Sequence, residues 1–305
     1  FLGTGLLGSG MIESMLRRGQ SVTVWNRTLA KAEPLAALGA TVAQTPEAAV
    51  AGADEVHIIL SDDSAVDALL DRLAPHVPAS AVVIDHTTTS PAGTKARLAS
   101  AAGRGLQFLH APVFMGPAMA RESKGLMMVS GPQVLFDRVQ PTLAGMTADL
   151  WYLGEREDLA AALKLFGNSM LFAMTGGIAD ILAMAKNLDV DPVEAIGVFT
   201  RFNAAAALTG RAQKIAHGDF SASFELTMAR KDIRLMLEAA GQEALVSLPS
   251  IAQRMDEAIA VAKETASQIT VGDPNGNSQL GPVVSEVQFN KIQKLIQAGI
   301  DEGAT

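Results

Sequence analysis

Gly3, Gly5 and Gly8 are spaced G-x-G-x-x-G, directly after the apolar pair Phe1-Leu2 and directly before the helical pattern Met11, Ile12, Met15, Leu16. In a strand, tight turn, helix setting the first glycine permits the turn, the second lets backbone approach a pyrophosphate, and the third lets helix pack on strand. The helix N-terminus then faces the phosphates, with Leu6 and Leu7 in the same binding loop. The chemistry implied is dinucleotide binding. A second strand, Ser21 to Trp25, ends in Asn26-Arg27-Thr28 instead of the Asp or Glu that would accept from a ribose 2′-OH. A guanidinium there suits a 2′-phosphate bidentately, so NADP(H) is expected in preference to NAD(H).

Lys164 and Asn168 lie four apart in AALKLFGNSML, on one helix face among apolar neighbours. A lysine buried there is costly unless it has a partner or a task. The alternative is a lysine that snorkels at a domain edge. Lys231-Asp232, in MARKDIRLML, reads by pattern as a solvated charge pair on an amphipathic helix. The segment from His110 to Pro117 ends a strand in a loop bounded by glycine and proline. Such a loop is a natural pocket wall, here Val113, Phe114, Met115 and Gly116. No metal site is expected: the five histidines have no ligand spacing and the chain has no cysteine.

The elements that must position these groups alternate. Apolar or β-branched runs at Ser21 to Trp25, Val56 to Leu60, Ala81 to Asp85, Phe108 to Pro112 and Met127 to Ser130 are separated by helical stretches, which predicts a parallel sheet with helices on both faces. Gly39-Ala40-Thr41 gives a further short strand, and Thr45 can cap a helix from Pro46 to Ala51. Leu60-Ser61-Asp62 and Thr87-Thr88-Thr89 follow strands directly, at the carboxyl ends where an open α/β sheet binds ligand. The first strand reads as truncated, since only Phe1 and Leu2 precede the glycine turn. From Asp158 to about Ala185 the pattern suits one long buried helix, and later punctuation by Asp191-Pro192, Gly210, Gly218-Asp219 and Gly241 marks further helices. The expected class is α/β: a Rossmann-type doubly wound sheet (1–154), then an all-α domain joined by a long helix (155–262), then a tail (263–305).

Composition narrows the partners. A net charge of −8 argues against nucleic acid. No apolar run reaches the roughly 18 residues of a spanning helix and no signal-peptide pattern is present, so no membrane partner is expected and a cytoplasmic setting is.

In the order of these motifs the chain from Phe1 to about Ala262 resembles the β-hydroxyacid dehydrogenases, the family of 3-hydroxyisobutyrate dehydrogenase and the glyoxylate and succinic semialdehyde reductases. The shared run is the glycine turn, Asn26-Arg27-Thr28 as in NADP-using members, Asp85-His86-Thr87-Thr88 before Pro91, the Ala-Pro-Val loop, Lys164 with Asn168, and Lys231-Asp232. The resemblance implies an NADP-dependent reductase of a small aldehyde or 2-oxo acid. In it Lys164 is the general acid, Asn168 positions substrate, Thr88 lies near the nicotinamide and Lys231 near the cofactor. It also implies a homodimer or homotetramer.

An imine reductase, of similar fold and Asn-Arg-Thr signature, is the near alternative; a non-catalytic NADP-binding scaffold is the distant one. The family's Ser-Gly-Gly is replaced by Phe114-Met115-Gly116, which removes a carboxylate-binding hydroxyl and predicts a larger or less polar substrate. From about Ala262 the tail resembles aldehyde dehydrogenases in Val271 to Pro274, Leu280 to Pro282 and Glu302 to Ala304. It brings none of their catalytic groups. A turn is expected at Asp273 to Asn277 and a helix at Ser285 to Ala298.

Overall fold

Short Val, Ile and Phe runs alternate with helices through the first half of the chain in the computed structural model, which describes residues 1–221, 224–273, 276–281 and 285–301. In order these are α1 (Leu6–Arg17), β1 (Thr23–Val24), β2 (Thr41–Val42), α2 (Pro46–Val50), β3 (Glu55–Ile58), α3 (Asp63–Leu73), β4 (Val82–Asp85) and α4 (Pro91–Gly103). Then come β5 (Gln107–His110), β6 (Val113–Phe114), α5 (Pro117–Arg121), β7 (Leu126–Val129), α6 (Gln133–Met146) and β8 (Asp149–Tyr152). Phe1 to Gly3 is the hinge of the arrangement. Trp25 N donates to Phe1 O (3.0 Å) and Gly3 N to Trp25 O (3.0 Å) on one side, while Leu2 N donates to His57 O (2.8 Å) and Ile59 N to Leu2 O (3.0 Å) on the other. The parallel order is therefore β2, β1, residues 1–3, β3, β4, β5, reversing direction at the first segment. That reversal is the switch point outside which a doubly wound sheet binds its ligand.

The sheet is not parallel throughout. β6 continues the line of β5 after Ala111-Pro112 and runs antiparallel to β7 (Val113 opposite Met127), with His110 bridging Ser130. Parallel neighbours need a crossover of a dozen or more residues, and between Phe114 and Leu126 the chain has room only for α5. Both faces of the sheet are covered. Val82 and Ile84 pack with Met11, Ile12 and Met15 of α1 and Phe136, Val139 and Leu143 of α6. Val83 packs with Val66, Leu69, Leu70 and Leu73 of α3 and Leu98 of α4. Burial on both sides explains why these strands read as continuous apolar runs. Thr45 caps α2 as expected, accepting from Ala48 N at 3.2 Å.

The remainder is helical: α7 (Leu159–Asn187), α8 (Pro192–Gly197), α9 (Ala204–Ala216), α10 (Leu226–Ala240), α11 (Leu248–Ser267) and α12 (Glu286–Asp301). The chain divides into two compact units, Phe1–Leu171 and Phe172–Thr305, at a point inside α7. In the second unit, buried Asp180 of α7 accepts from the backbone N–H groups of Val246, Ser247 (2.9 Å) and Leu248 (2.9 Å), satisfying orphan donors at the start of α11. α11 runs unbroken past Ala262 into the tail. Pro274, Asn275, Pro282 and Glu302 to Ala304, all cited above for the tail, lie outside the described residues.

One expectation is corrected by α7. Its 29 residues include an 18-residue window of mean hydropathy 1.3, long and apolar enough to cross a membrane by length and composition alone. Scattered Lys and Asn residues broke the apolar run without breaking the apolar average. Nor is the helix deeply buried: Phe166, Leu171, Phe172 and Met174 are all more than half exposed.

Candidate active site

The three fingerprint glycines have three different physical reasons. Gly3 has φ +102°, and a Cβ there would overlap the carbonyl oxygen of Ile59. A Cβ on Gly8, in the first turn of α1, would overlap the carbonyl of Gly3 and lie 2.9 Å from Ile59 Cγ2, so this glycine lets helix meet strand. Gly5 is the N-cap of α1 at φ −69°, and a Cβ there would meet nothing within 4 Å. Its place is a cradle in open space at a helix N-terminus, which fits a phosphate approaching backbone.

That cradle opens on a cavity of about 800 Å³. Gly3, Gly5, Leu6, Leu7 and Gly8 line it at one side, with Asn26, Arg27, Thr28, Leu60, Ser61 and Thr88 around it, and Val113, Met115 and Lys164 at the far end. Asn26 braces the rim: its Oδ1 accepts from Thr4 N (3.1 Å) and its Nδ2 donates to Thr28 O (2.9 Å). A carboxylate could make only the first of these bonds. Leu60 N donates to Thr87 Oγ1 (3.0 Å) and Thr87 N to Asp85 Oδ1 (2.9 Å), tying together the two loops that leave β3 and β4.

Sequence reasoning missed Lys31 and Arg72, which also line the cavity. Lys31 follows Arg27 by four residues, a spacing that could have suggested it. Arg72 comes from α3, where its bidentate pairing to Glu47 gives no local signal. Arg27, Lys31, Arg72 and Lys164 are the charged residues of the lining, and no Asp or Glu accompanies them, in a chain of net charge −8. The charge is arranged for an anion of dinucleotide size.

At the far end, half-buried Lys164 has its Nζ 3.9 Å from the centroid of the Phe114 ring. Among the described residues Nζ has no hydrogen-bond or ion-pair partner. Burial holds its pKa below the ordinary lysine value. The cavity's other titratable group of moderate pKa, His86, is fully committed. Its Nδ1 lies 2.8 Å from Ala111 O and its Nε2 3.0 Å from His57 Nδ1, and His57 Nε2 lies 3.1 Å from Glu55 Oε2. Burial, then the neighbouring His57, push His86 down to about 3, so it is neutral at physiological pH.

Several expected site residues stand apart from the cavity lining. The Asp62 carboxylate is turned to cap α3, accepting from Ala65 N (2.9 Å) and Ser64 Oγ (2.6 Å). Phe114 points its ring at α7, Gly116 caps α5, and half-buried Asn168 does not reach the lining. Lys231 lies in α10 of the second unit, exposed, with Nζ 3.0 Å from Asp232 Oδ1. No group of His, Asp or Glu among the described residues could hold a metal ion.

A glycine cradle at a sheet's switch point, beside a lining whose charged residues are all cationic, defines a Rossmann-type oxidoreductase that binds a nicotinamide dinucleotide. Residues 1–154 match the NAD binding domain of 6-phosphogluconate dehydrogenase, and the chain belongs to that family, of the β-hydroxyacid dehydrogenase type. It is 28% identical over 267 residues to glyoxylate/succinic semialdehyde reductase 2, chloroplastic, of Arabidopsis thaliana, covering 86% of this chain and 74% of that protein. With glyoxylate/succinic semialdehyde reductase 1 of the same plant the identity is 27% over 300 residues, 95% of this chain and 98% of that one. Among solved structures, an imine reductase from Myxococcus stipitatus in complex with NADP+ has a similar fold, with TM-score 0.79 at 22% identity over 85% of this chain and 93% of that one. Residues 239–305 match the aldehyde dehydrogenase family, a likeness that begins before the Ala262 read from sequence.

Proposed function

We propose that the protein is an NADP-dependent reductase of a small aldehyde or 2-oxo acid, with Lys164 as the general acid. The observation that carries this reading is the ammonium of Lys164 at the cavity, with no carboxylate beside it and with His86 neutral and bonded at both nitrogens. Arginine does not give up its proton at physiological pH, and of the two lining lysines Lys31 goes with Arg27 while Lys164 is the one whose pKa burial lowers, so Lys164 is the residue suited to donate one. The nicotinamide, when bound, supplies a hydride to the carbonyl carbon. Lys164 meets the charge developing on the carbonyl oxygen and transfers its proton there, leaving a neutral amine that regains a proton from solvent. Burial eases that loss by lowering the lysine's pKa, and it equally permits the reverse, oxidative direction.

Arg27, with Lys31 beside it, supports a 2′-phosphate and hence NADP(H) over NAD(H). In this reading Asn168 and the wall of Val113 and Met115 position substrate, and Thr88 lies against the nicotinamide. The apolar wall suits a less polar substrate than a short hydroxy acid. In the same reading residues 1–154 are the cofactor domain, 155–262 the helical domain, and 263–305 an aldehyde-dehydrogenase-like tail without that family's catalytic cysteine. The exposed apolar residues of α7 support a homodimer or homotetramer.

The test is NADPH consumption over glyoxylate, succinic semialdehyde, tartronate semialdehyde, apolar aldehydes and a cyclic imine, with Lys164→Ala alongside. Carbonyl turnover that collapses by about 100-fold or more in the variant is expected. Turnover of the imine alone, or NADPH binding without turnover, would sink the reading.

A further inference from the structure

Phe114 stands where the related loop carries a small hydroxyl residue, and its ring is turned neither to solvent nor to the cavity. The ring tip enters a notch on α7 made by Gly167: a Cβ at that position would overlap Phe114 Cζ and lie 2.8 Å and 3.0 Å from Cε1 and Cε2. Three residues earlier on the same helix, Lys164 lays its Nζ 3.9 Å from the ring centroid. The spacing of Lys164 and Gly167 puts the lysine stem and the notch on one helix face, so a single ring is gripped by one and covered by the other. We propose that Phe114 is the positioning residue for Lys164, its ring seated in the Gly167 notch and holding the ammonium by its π-face so that the remaining N–H groups point to the cavity. The proposal rests on reading Lys164 as the proton donor.

The chemistry favours a ring over an ion pair for this task. A carboxylate beside the lysine would hold the ammonium but would also oppose loss of its proton and raise its pKa. A ring attracts the cation more weakly and accepts no proton. It fixes the donor without competing for what is donated. Among the described residues nothing else bonds the lysine's nitrogen. The ring also keeps water from one side of the ammonium, so its removal has two effects of opposite sign. Lost cation–π attraction lowers the lysine's pKa, whereas admitted water raises it.

The test reads the lysine directly. With lysines labelled at ¹³Cε in the full chain, the Lys164 signal is identified by its loss in Lys164→Arg and titrated in wild type, Phe114→Leu and Gly167→Ala. The expected wild-type midpoint lies below that of an ordinary lysine. Leucine, like a displaced ring, keeps apolar bulk beside the ammonium and so keeps water out, and each variant should fall further by about half to one pH unit because the lost attraction is felt by the ammonium alone. The double variant should fall no further than Phe114→Leu, since an absent ring cannot be displaced. An unchanged or raised midpoint in Phe114→Leu overturns the proposal and reduces Phe114 to a wall. Should that variant fail to fold, Gly167→Ala carries the same test, alanine being the better helix former. Turnover of the aldehyde panel separates the two readings. Shifted midpoints with no turnover sink the reductase and leave the lysine's seat in place; turnover with unshifted midpoints does the reverse.

Discussion

Replacing Gly5 by alanine should leave the protein folded and weaken its hold on the cofactor, an outcome that neither Gly3→Ala nor Gly8→Ala can produce. At Gly5 the backbone has φ −69°, which alanine adopts freely, and the added Cβ meets nothing within 4 Å. The loss to folding is the poorer N-cap, about 0.5–1 kcal/mol, or about 1–4 °C in a unit of this size. At Gly3 the positive φ alone costs about 1–3 kcal/mol. Overlap with the Ile59 carbonyl adds about 1–3 kcal/mol more, because Gly3 and Ile59 are both held in the ladder by the bonds Gly3 N to Trp25 O and Ile59 N to Leu2 O. The sum corresponds to a fall of roughly 5–20 °C. For the cofactor the order inverts. A methyl group in the cradle keeps a phosphate off the backbone, and one lost charge-assisted bond of about 1.5–3 kcal/mol weakens binding roughly 10- to 150-fold. Thermal unfolding followed by circular dichroism gives the first quantity, and quenching or enhancement of NADPH fluorescence gives the second. If Gly5→Ala bound NADPH within about twofold of wild type, or melted as low as Gly3→Ala, the division of labour among the glycines would be wrong.

Arg27→Ala should weaken NADPH by roughly 10- to 100-fold while leaving NADH nearly unchanged, read as the ratio of the two dissociation constants. Equal losses for both cofactors would place the 2′-phosphate elsewhere. Arg97→Ala should destabilise by about 3–5 kcal/mol in urea unfolding, since this buried guanidinium bonds Asp67 (2.7 Å) and Asp63 (2.9 Å) and lies 3.8 Å from fully buried Asp85. A loss below about 1 kcal/mol would mean that Asp85 needs no counter-charge. Stability should also fall with acidification in a defined window. The fold lowers the pKa of His86 from 6.5 to about 3 and lowers that of His57, so the unfolded chain binds more protons between those values. The stabilisation is complete above pH 6.5 and is lost as pH falls toward 3, at about 1.4 kcal/mol per pH unit for His86. A drop of about 2 kcal/mol between pH 7.5 and 5 is expected, and a flat profile over that range would contradict the burial of these rings.

The sheet was legible because its central strands are buried on both faces: Val82-Val83-Ile84 needs no partner in sequence to be recognised as a strand. The glycine turn, the Thr45 cap and the long helix were legible because each is a local rule. What escaped depends on distance. Arg72 reaches the cavity from α3 because that helix packs beside the switch point. Asp62 follows a strand as a ligand-binding residue would, but Ser64 and Ala65 immediately after it offer a helix cap, and the nearer partner wins. The direction of Phe114 was likewise hidden, because the notch that receives it is the absence of a side chain at Gly167, 53 positions on. β6 was read as part of a loop since only two of its residues pair, and their antiparallel sense follows from the short return to β7.

The imidazole column below the cavity can be read as a sum over hydrogens. The Ala111 carbonyl can only accept, so the hydrogen of neutral His86 is on Nδ1. Its Nε2 is then bare and takes the hydrogen of His57 Nδ1. That leaves His57 Nε2 facing a Glu55 oxygen at 3.1 Å, while the other Glu55 oxygen accepts from Thr142 Oγ1 at 2.9 Å. The column is thus polarised one way, with the hydrogens of both rings directed toward the Ala111 carbonyl. It acts as an insulating post: both nitrogens of His86, the one ring of the column that lines the cavity, are spent on Ala111 and His57, so neither is offered to whatever the cavity holds.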